Sequence, residues 1–216
     1  MSAPQTGPPS PPPAPPSLSF GGYAPTPGTI EGVSFWPRAA GRLIDIVVHY
    51  IVSICTGLVF GVLLGVVATA LGKSLPPLVA KLQHLGLTTF GLAFLGSVAY
   101  HAVCEGVGGS TVGKLMLSMV VVREDGSPCR IDAALLRSFA YAVDALFFGV
   151  VGYFAMKDDP EHQRYGDQWA HTIVAKRSQV RPENLYDGGR IVLALFLGIA
   201  ADSVLLMVGW LLAVLA

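Results

Sequence analysis

The chain has 216 residues, 52% of them hydrophobic and only 13% charged, where a soluble domain carries about 25% charged residues. Lys plus Arg and Asp plus Glu are equal at 14 each, so no net field draws nucleic acid or an acidic partner. With a mean hydropathy of +0.58, the composition is that of a membrane protein.

Residues 1–34 are rich in Pro, Gly and Ser. Such a segment buries too little apolar surface to offset its ordering entropy and reads as a disordered tail. It has neither the basic start nor the apolar stretch of a cleavable signal, so the first span is expected to act as its own membrane signal. That span covers residues 42–71, longer than the roughly 20 residues a bilayer needs, and should tilt or protrude. A short loop with Lys73 and Lys81 leads to a second span over 86–104.

The following loop contains a β-branched stretch, 119–123, and a turn signal, Glu124-Asp125-Gly126-Ser127-Pro128. It predicts a small hairpin or extended segment at the membrane surface. Asp132 is placed to cap a helix that runs into a third apolar stretch, 138–156. Residues 157–190 form the most polar loop, and RYGDQWAHTIVAKR within it reads as an interfacial segment anchored by Tyr165 and Trp169, with a short strand. A last run, 191–216, is long enough to span.

Two arrangements fit these runs. If all four cross, basic residues divide between both sides. If 138–156 dips in and returns, bending near Gly149 and Gly152, the amino end and both basic loops share the cytoplasmic side. Re-entrant backbone must be buried in protein, so this arrangement asks for close packing or an oligomer.

Charges inside apolar runs mark candidate sites, because they are expensive there. Arg42 and Asp45, three residues apart, share a helix face and can neutralise each other. His49 continues that face, His101 and Glu105 lie four apart near the end of the second span, and Asp144 lies in the third run. In an antiparallel arrangement all six fall on one side of the bilayer. Two functions follow: a cation or proton site, or an ion-pair network that fixes helix register. Asp202, midway through the last run, is a secondary candidate among small residues suited to close helix contact.

GGSTVGKL at 108–115 resembles a phosphate-binding loop, but Leu115 stands where the magnesium-binding Ser or Thr belongs, and the segment follows a membrane span. Nucleotide binding is therefore rejected; the glycines are read as a tight membrane exit, with Lys114 at the headgroups. Cys55, Cys104 and Cys129 follow no disulfide or zinc spacing and read as small apolar residues. No nucleophile–base pair, metal motif or organic cofactor site is apparent, so an enzyme is not expected.

Together these residues resemble the RDD family of small integral membrane proteins, whose name records an arginine and two aspartates in the membrane. Arg42 and Asp45 match the first-helix pair, and Asp144 the later aspartate. The resemblance extends through GSTVGKLMLSMVVVREDGSP, Leu136-Arg137 and GDQWAHTIVAKR. Where the closing motif usually has a His before its Asp, this chain has Gly166 before Asp167.

The expected architecture is an all-α polytopic membrane protein with three to four transmembrane helices. A small extended or hairpin segment lies between the second and third. Its parts are a disordered tail at 1–34, an RDD-like membrane domain at 35–177, a linker at 178–190 and an additional span at 191–216. The resemblance implies a transport-related role, with Na⁺ or H⁺ exchange through the Arg/Asp cluster. The alternative is a non-catalytic scaffold or assembly protein. The lipid bilayer is the expected partner, with a homo-oligomer or other membrane protein beside it, in a bacterial inner membrane.

Overall fold

The computed structural model describes residues 30–72, 86–144 and 146–215. The proline-rich tail, apart from residues 30–34, and the loop expected at 72–85, apart from Gly72, lie outside these.

Helix α1 runs Phe35–Ala70, α2 Gly86–Gly108 and a single turn α3 Val112–Met116. Strand β1 (Met119–Arg123) follows, then α4 (Ile131–Asp144) and α5 (Leu146–Lys157), a short α6 (Tyr165–Trp169), strand β2 (Thr172–Lys176) and the final helix α7 (Gly188–Leu215). Helix α4 begins one residue before Asp132, which sits in its first turn rather than capping it. Among the described residues three helices, α1, α2 and α7, are each long and apolar enough to cross a bilayer.

The 36 residues of α1 make a rod of about 54 Å at 1.5 Å per residue, longer than the roughly 30 Å hydrocarbon core. Trp36, Leu43, Ile46, Ile51, Leu58 and Val62 lie exposed along it, as lipid-facing side chains should. The seam between α2 and α7 is made by small residues. A Cβ on Gly108 would come within 2.7 Å of the Ala194 Cβ, and one on Gly198 within 2.5 Å of the Cys104 Sγ. Close backbone approach of this kind holds helices together in lipid, where burial of apolar surface gives no net drive.

The extended segment expected in the loop after the second span is present, but its partner comes from the later loop. β1 and β2 pair antiparallel over five residues, Met119 opposite Lys176 through Arg123 opposite Thr172. Gly32 bridges to Ala175, and the Val33 N–H donates to the Val174 carbonyl at 2.7 Å. Both sheet faces are covered: Met119, Val121 and Val174 pack with Val33 and Ala134, while Val120, Val122 and Ala175 pack with Val180. That explains why 119–122 reads as a continuous apolar run rather than an alternating one.

This sheet settles the topology. It joins the residues before α1, those after α2 and those before α7, and a hydrogen-bonded ladder cannot straddle hydrocarbon. The three junctions therefore lie on one side, in a polar cap. α4 leaves from that cap and α5 returns to it, turning through 109° between Ile131–Asp144 and Gly149–Lys157. Phe147 and Gly149 adopt left-handed backbone at φ 51° and 88° in this bend. Of the two arrangements, the re-entrant one holds. Of 14 Lys and Arg, only Lys73 and Lys81 fall between the first two spans.

Single cysteines at Asp125 and Ser178, both exposed in the cap, should label from the same face of a sealed vesicle. One at Leu71, beyond the far end of α1, should label from the opposite face. Labelling of Asp125 and Ser178 positions from different sides would contradict the shared sheet.

Candidate functional site

Where the cap meets the spans, charged side chains converge from α1, α2, α3, α4 and α6. Asp45, on α1, is buried and faces α3. It accepts hydrogen bonds from the Thr111 hydroxyl at 2.7 Å, the Gly113 N–H at 2.8 Å and the Tyr100 hydroxyl at 3.3 Å. Gly113 has to be glycine: a Cβ there would run into the Gly41 carbonyl. The glycine-lysine loop that resembles a phosphate-binding loop thus cradles a carboxylate of its own chain. Its lysine does not sit at the headgroups. Lys114 turns back, and its Nζ lies 2.7 Å from Glu105 Oε1.

The expected Arg42–Asp45 pair does not form. Among the described residues Arg42 has no carboxylate within 4.0 Å. Its guanidinium stacks over the Tyr141 ring at 4.1 Å and reaches the Ser97 hydroxyl at 3.5 Å. Asp45 is turned away toward α3, where neutral donors satisfy it.

The densest charge sits on Asp167, which is fully buried in α6. Arg38 pairs with its Oδ2, the Arg137 Nη2 lies 2.9 Å from its Oδ1, and the Arg164 Nε lies 3.4 Å from its Oδ2. The Arg164 backbone N–H also donates to it at 3.2 Å, closing a capping box. Burial by itself pushes this carboxyl up, but the guanidiniums of Arg38, Arg137 and Arg164 hold it well below the usual carboxylate range. Lys114 is lowered by burial, which outweighs the opposing pull of Glu105 and Asp45.

Arg137 bridges the network, its Nε 3.2 Å from Glu105 Oε2. Asp144 lies 3.8 Å from the Arg164 Nε and accepts from the Gly166 N–H at 3.4 Å; its Oδ1 has no partner among the described residues. Gly166 lets α6 sit flat on α4, since a Cβ there would come within 2.9 Å of the Ala140 Cβ. Glycine in place of the usual histidine thus has a packing reason in this chain.

These groups surround a cavity of about 740 Å³. Arg38, Arg42, Lys114, Arg137 and Arg164 line it with Glu105, Asp144 and His101. Phe35, Trp36, Leu43, Ile46, Val150 and Tyr153 form its apolar part. His101 is buried, and its Nδ1 has no partner among the described residues. Even with Asp45 and Asp167 added, five cations stand against four carboxylates.

Of the six primary candidates, the structure brings Arg42, His101, Glu105 and Asp144 to this cavity and puts Asp45 just behind its wall. His49 does not join them. It pairs instead with the secondary candidate Asp202, Nδ1 to Oδ2 at 3.0 Å, deeper between α1 and α7. Nearby, Thr56 donates to the Ser203 hydroxyl at 3.0 Å, and Gly96 leaves room for the Asp202 carboxylate. Sequence reasoning missed Asp167, Arg38, Arg137 and Arg164 as cluster members, because they lie outside the apolar runs where charges stand out. A carboxylate within the Tyr165–Trp169 aromatic segment was the available signal.

Among the described residues, no group of three or more His, Cys, Asp or Glu side chains is arranged to hold a metal ion. No curated protein and no solved structure matches the chain. The RDD family's sequence model matches residues 33–171, which takes in α1 through α6 with β1 and every residue of the charged cavity. The chain is an integral membrane protein belonging to the RDD family.

Proposed function

We propose that this chain is a non-enzymatic, transport-related protein of a bacterial inner membrane, and that the ligand entering its cavity carries negative charge. One observation carries this reading: Arg42 faces the cavity with no carboxylate partner among the described residues, within a lining that holds more cations than carboxylates. Exchange of Na⁺ or H⁺ through Arg42, Asp45 and Asp144 asks for carboxylates open to an ion. Asp45 is filled by three donors, Glu105 by Lys114 and Arg137, and Asp144 has Arg164 beside it. A metal cation would have to displace Lys114 or Arg137 from Glu105, or neutral donors from Asp45, and would meet Arg164 at Asp144. The scaffold reading fits Asp167, whose three guanidiniums tie α1, α4 and α6 together, but leaves the cavity without a role.

Thermal unfolding of the purified protein tests this at fixed sodium and ionic strength. Phosphate replacing chloride should raise the midpoint by about 5 °C near saturation. Arg42→Gln should lose most of that rise. Sodium replacing choline should change nothing. A sodium-specific rise with no anion dependence would reverse the assignment.

A further inference from the structure

The cavity's walls have two chemistries, and they are arranged in order. Toward the cap it is cationic. On the side between α1 and α5 it is lined by Trp36, Leu43, Ile46 and Val150, which are 74%, 64%, 53% and 46% exposed. On membrane helices, side chains that line a cavity and are also this exposed form its mouth toward lipid. A water-soluble anion has no use for such a mouth. Arg42 lies seven residues into α1, about 10 Å along its axis, and side chains on a helix lean toward its N-terminus, here toward the cap. Trp36, the second residue of α1, marks the interfacial level.

We propose that the cavity is a binding site for an anionic phospholipid of the cap-side leaflet. The phosphate lies against Arg42 with His101 and Lys114 behind it, and an acyl chain leaves between α1 and α5 along Leu43, Ile46 and Val150. This rests on the reading of the cavity as a site for negative charge and names the ligand's class. The volume of about 740 Å³ is in the range of small-molecule sites, roughly 300–1,000 Å³. The His101 Nδ1, buried in the wall and unpartnered among the described residues, supplies a polar atom for the ligand. A zwitterionic lipid would bring its own cation against five others. One unpaired cation near the membrane surface is worth about fivefold in affinity for an anionic lipid.

Trp36 at the mouth reports occupancy directly. A protein carrying Trp169→Phe and Trp210→Phe retains it as the sole tryptophan. It is reconstituted in phosphatidylcholine vesicles with a rising share of dibrominated phosphatidylglycerol, or of dibrominated phosphatidylcholine as reference. Quenching of Trp36 should reach half its limit at about a fivefold lower share of the brominated anionic lipid. Arg42→Gln should abolish the difference. Arg130→Gln, an exposed cap residue paired with Asp132, should preserve it. Coincident curves for the two lipids in the parent protein overturn the proposal, whether or not Arg42→Gln folds. Equal effects of Arg42→Gln and Arg130→Gln also overturn it, because the preference would then belong to the cap surface. If the curves coincide while phosphate still stabilises the protein through Arg42, the lipid assignment falls and the anion reading stands. If phosphate also has no effect, both fall.

Discussion

Asp167→Ala should lower unfolding stability by about 3–5 kcal/mol, the cost of leaving buried charge without its partner. Arg38, Arg137 and Arg164 all converge on this carboxylate, whose side chain is fully buried. Removing it leaves three guanidiniums facing one another, with only Glu105 and Asp144 nearby. Asp167→Asn should cost nearly as much, since it retains shape but not charge. Arg38 belongs to α1, Arg137 to α4 and Arg164 to the N-cap of α6, so the loss should separate the re-entrant pair from the first span. Acid should do the same to the parent protein. The folded-state carboxyl titrates well below its ordinary value of about 3.9. Its stabilisation is therefore complete above that ordinary value and is lost as pH falls through the depressed one. Thermal unfolding of parent and Asp167→Asn from pH 7 down to 3 should show the parent's advantage shrinking below about pH 4. An unchanged midpoint in Asp167→Ala at pH 7 would show that the three arginines are satisfied elsewhere.

Gly198→Leu should be among the most damaging changes in the spans. A Cβ at this position would lie 2.5 Å from the Cys104 Sγ and 3.1 Å from the Tyr100 carbonyl. Cys104 is fully buried, and the carbonyl belongs to helix backbone, so neither neighbour has room to give. Overpacking of a tight contact costs typically 1–3 kcal/mol. A full leucine in a helix–helix seam belongs at the upper end, about 3 kcal/mol. Gly61→Leu is the matched control, because a Cβ there meets nothing within 4 Å. Detergent-resistant folding should fail in the first and persist in the second. Equal behaviour of the two would mean that α2 and α7 are not held by this seam.

The spans were legible because lipid imposes a length and a composition that few other segments meet. α1, α2 and α7 follow directly from that. The strands at 119–123 and within RYGDQWAHTIVAKR were each legible from their β-branching, but their pairing was not. Five consecutive pairs with a segment some fifty residues later depend on tertiary placement that no local signal carries. The same ladder decides that α4 and α5 return to the cap, which charge counting alone left open. In the site, Arg42, Glu105 and Asp144 were visible as charges in apolar runs, but their partners were not. Spacing of three put Arg42 beside Asp45 on one helix face. The donors of Thr111 and Gly113 then drew Asp45 away, because buried carboxylates go where hydrogen bonds are most numerous. Asp167 escaped notice because it stands in a polar loop, where a carboxylate is ordinary until the fold buries it.

The cavity is cationic: Asp45 and Glu105 are already held by donors, and Asp144 lies beside Arg164. Gradient-driven flux in proteoliposomes tests that most directly. With an imposed sodium gradient, internal pH should hold steady in the parent protein, and Asp144→Asn should behave identically. A sodium-driven pH change that the parent shows and Asp144→Asn loses would contradict the account and establish cation exchange at that carboxylate.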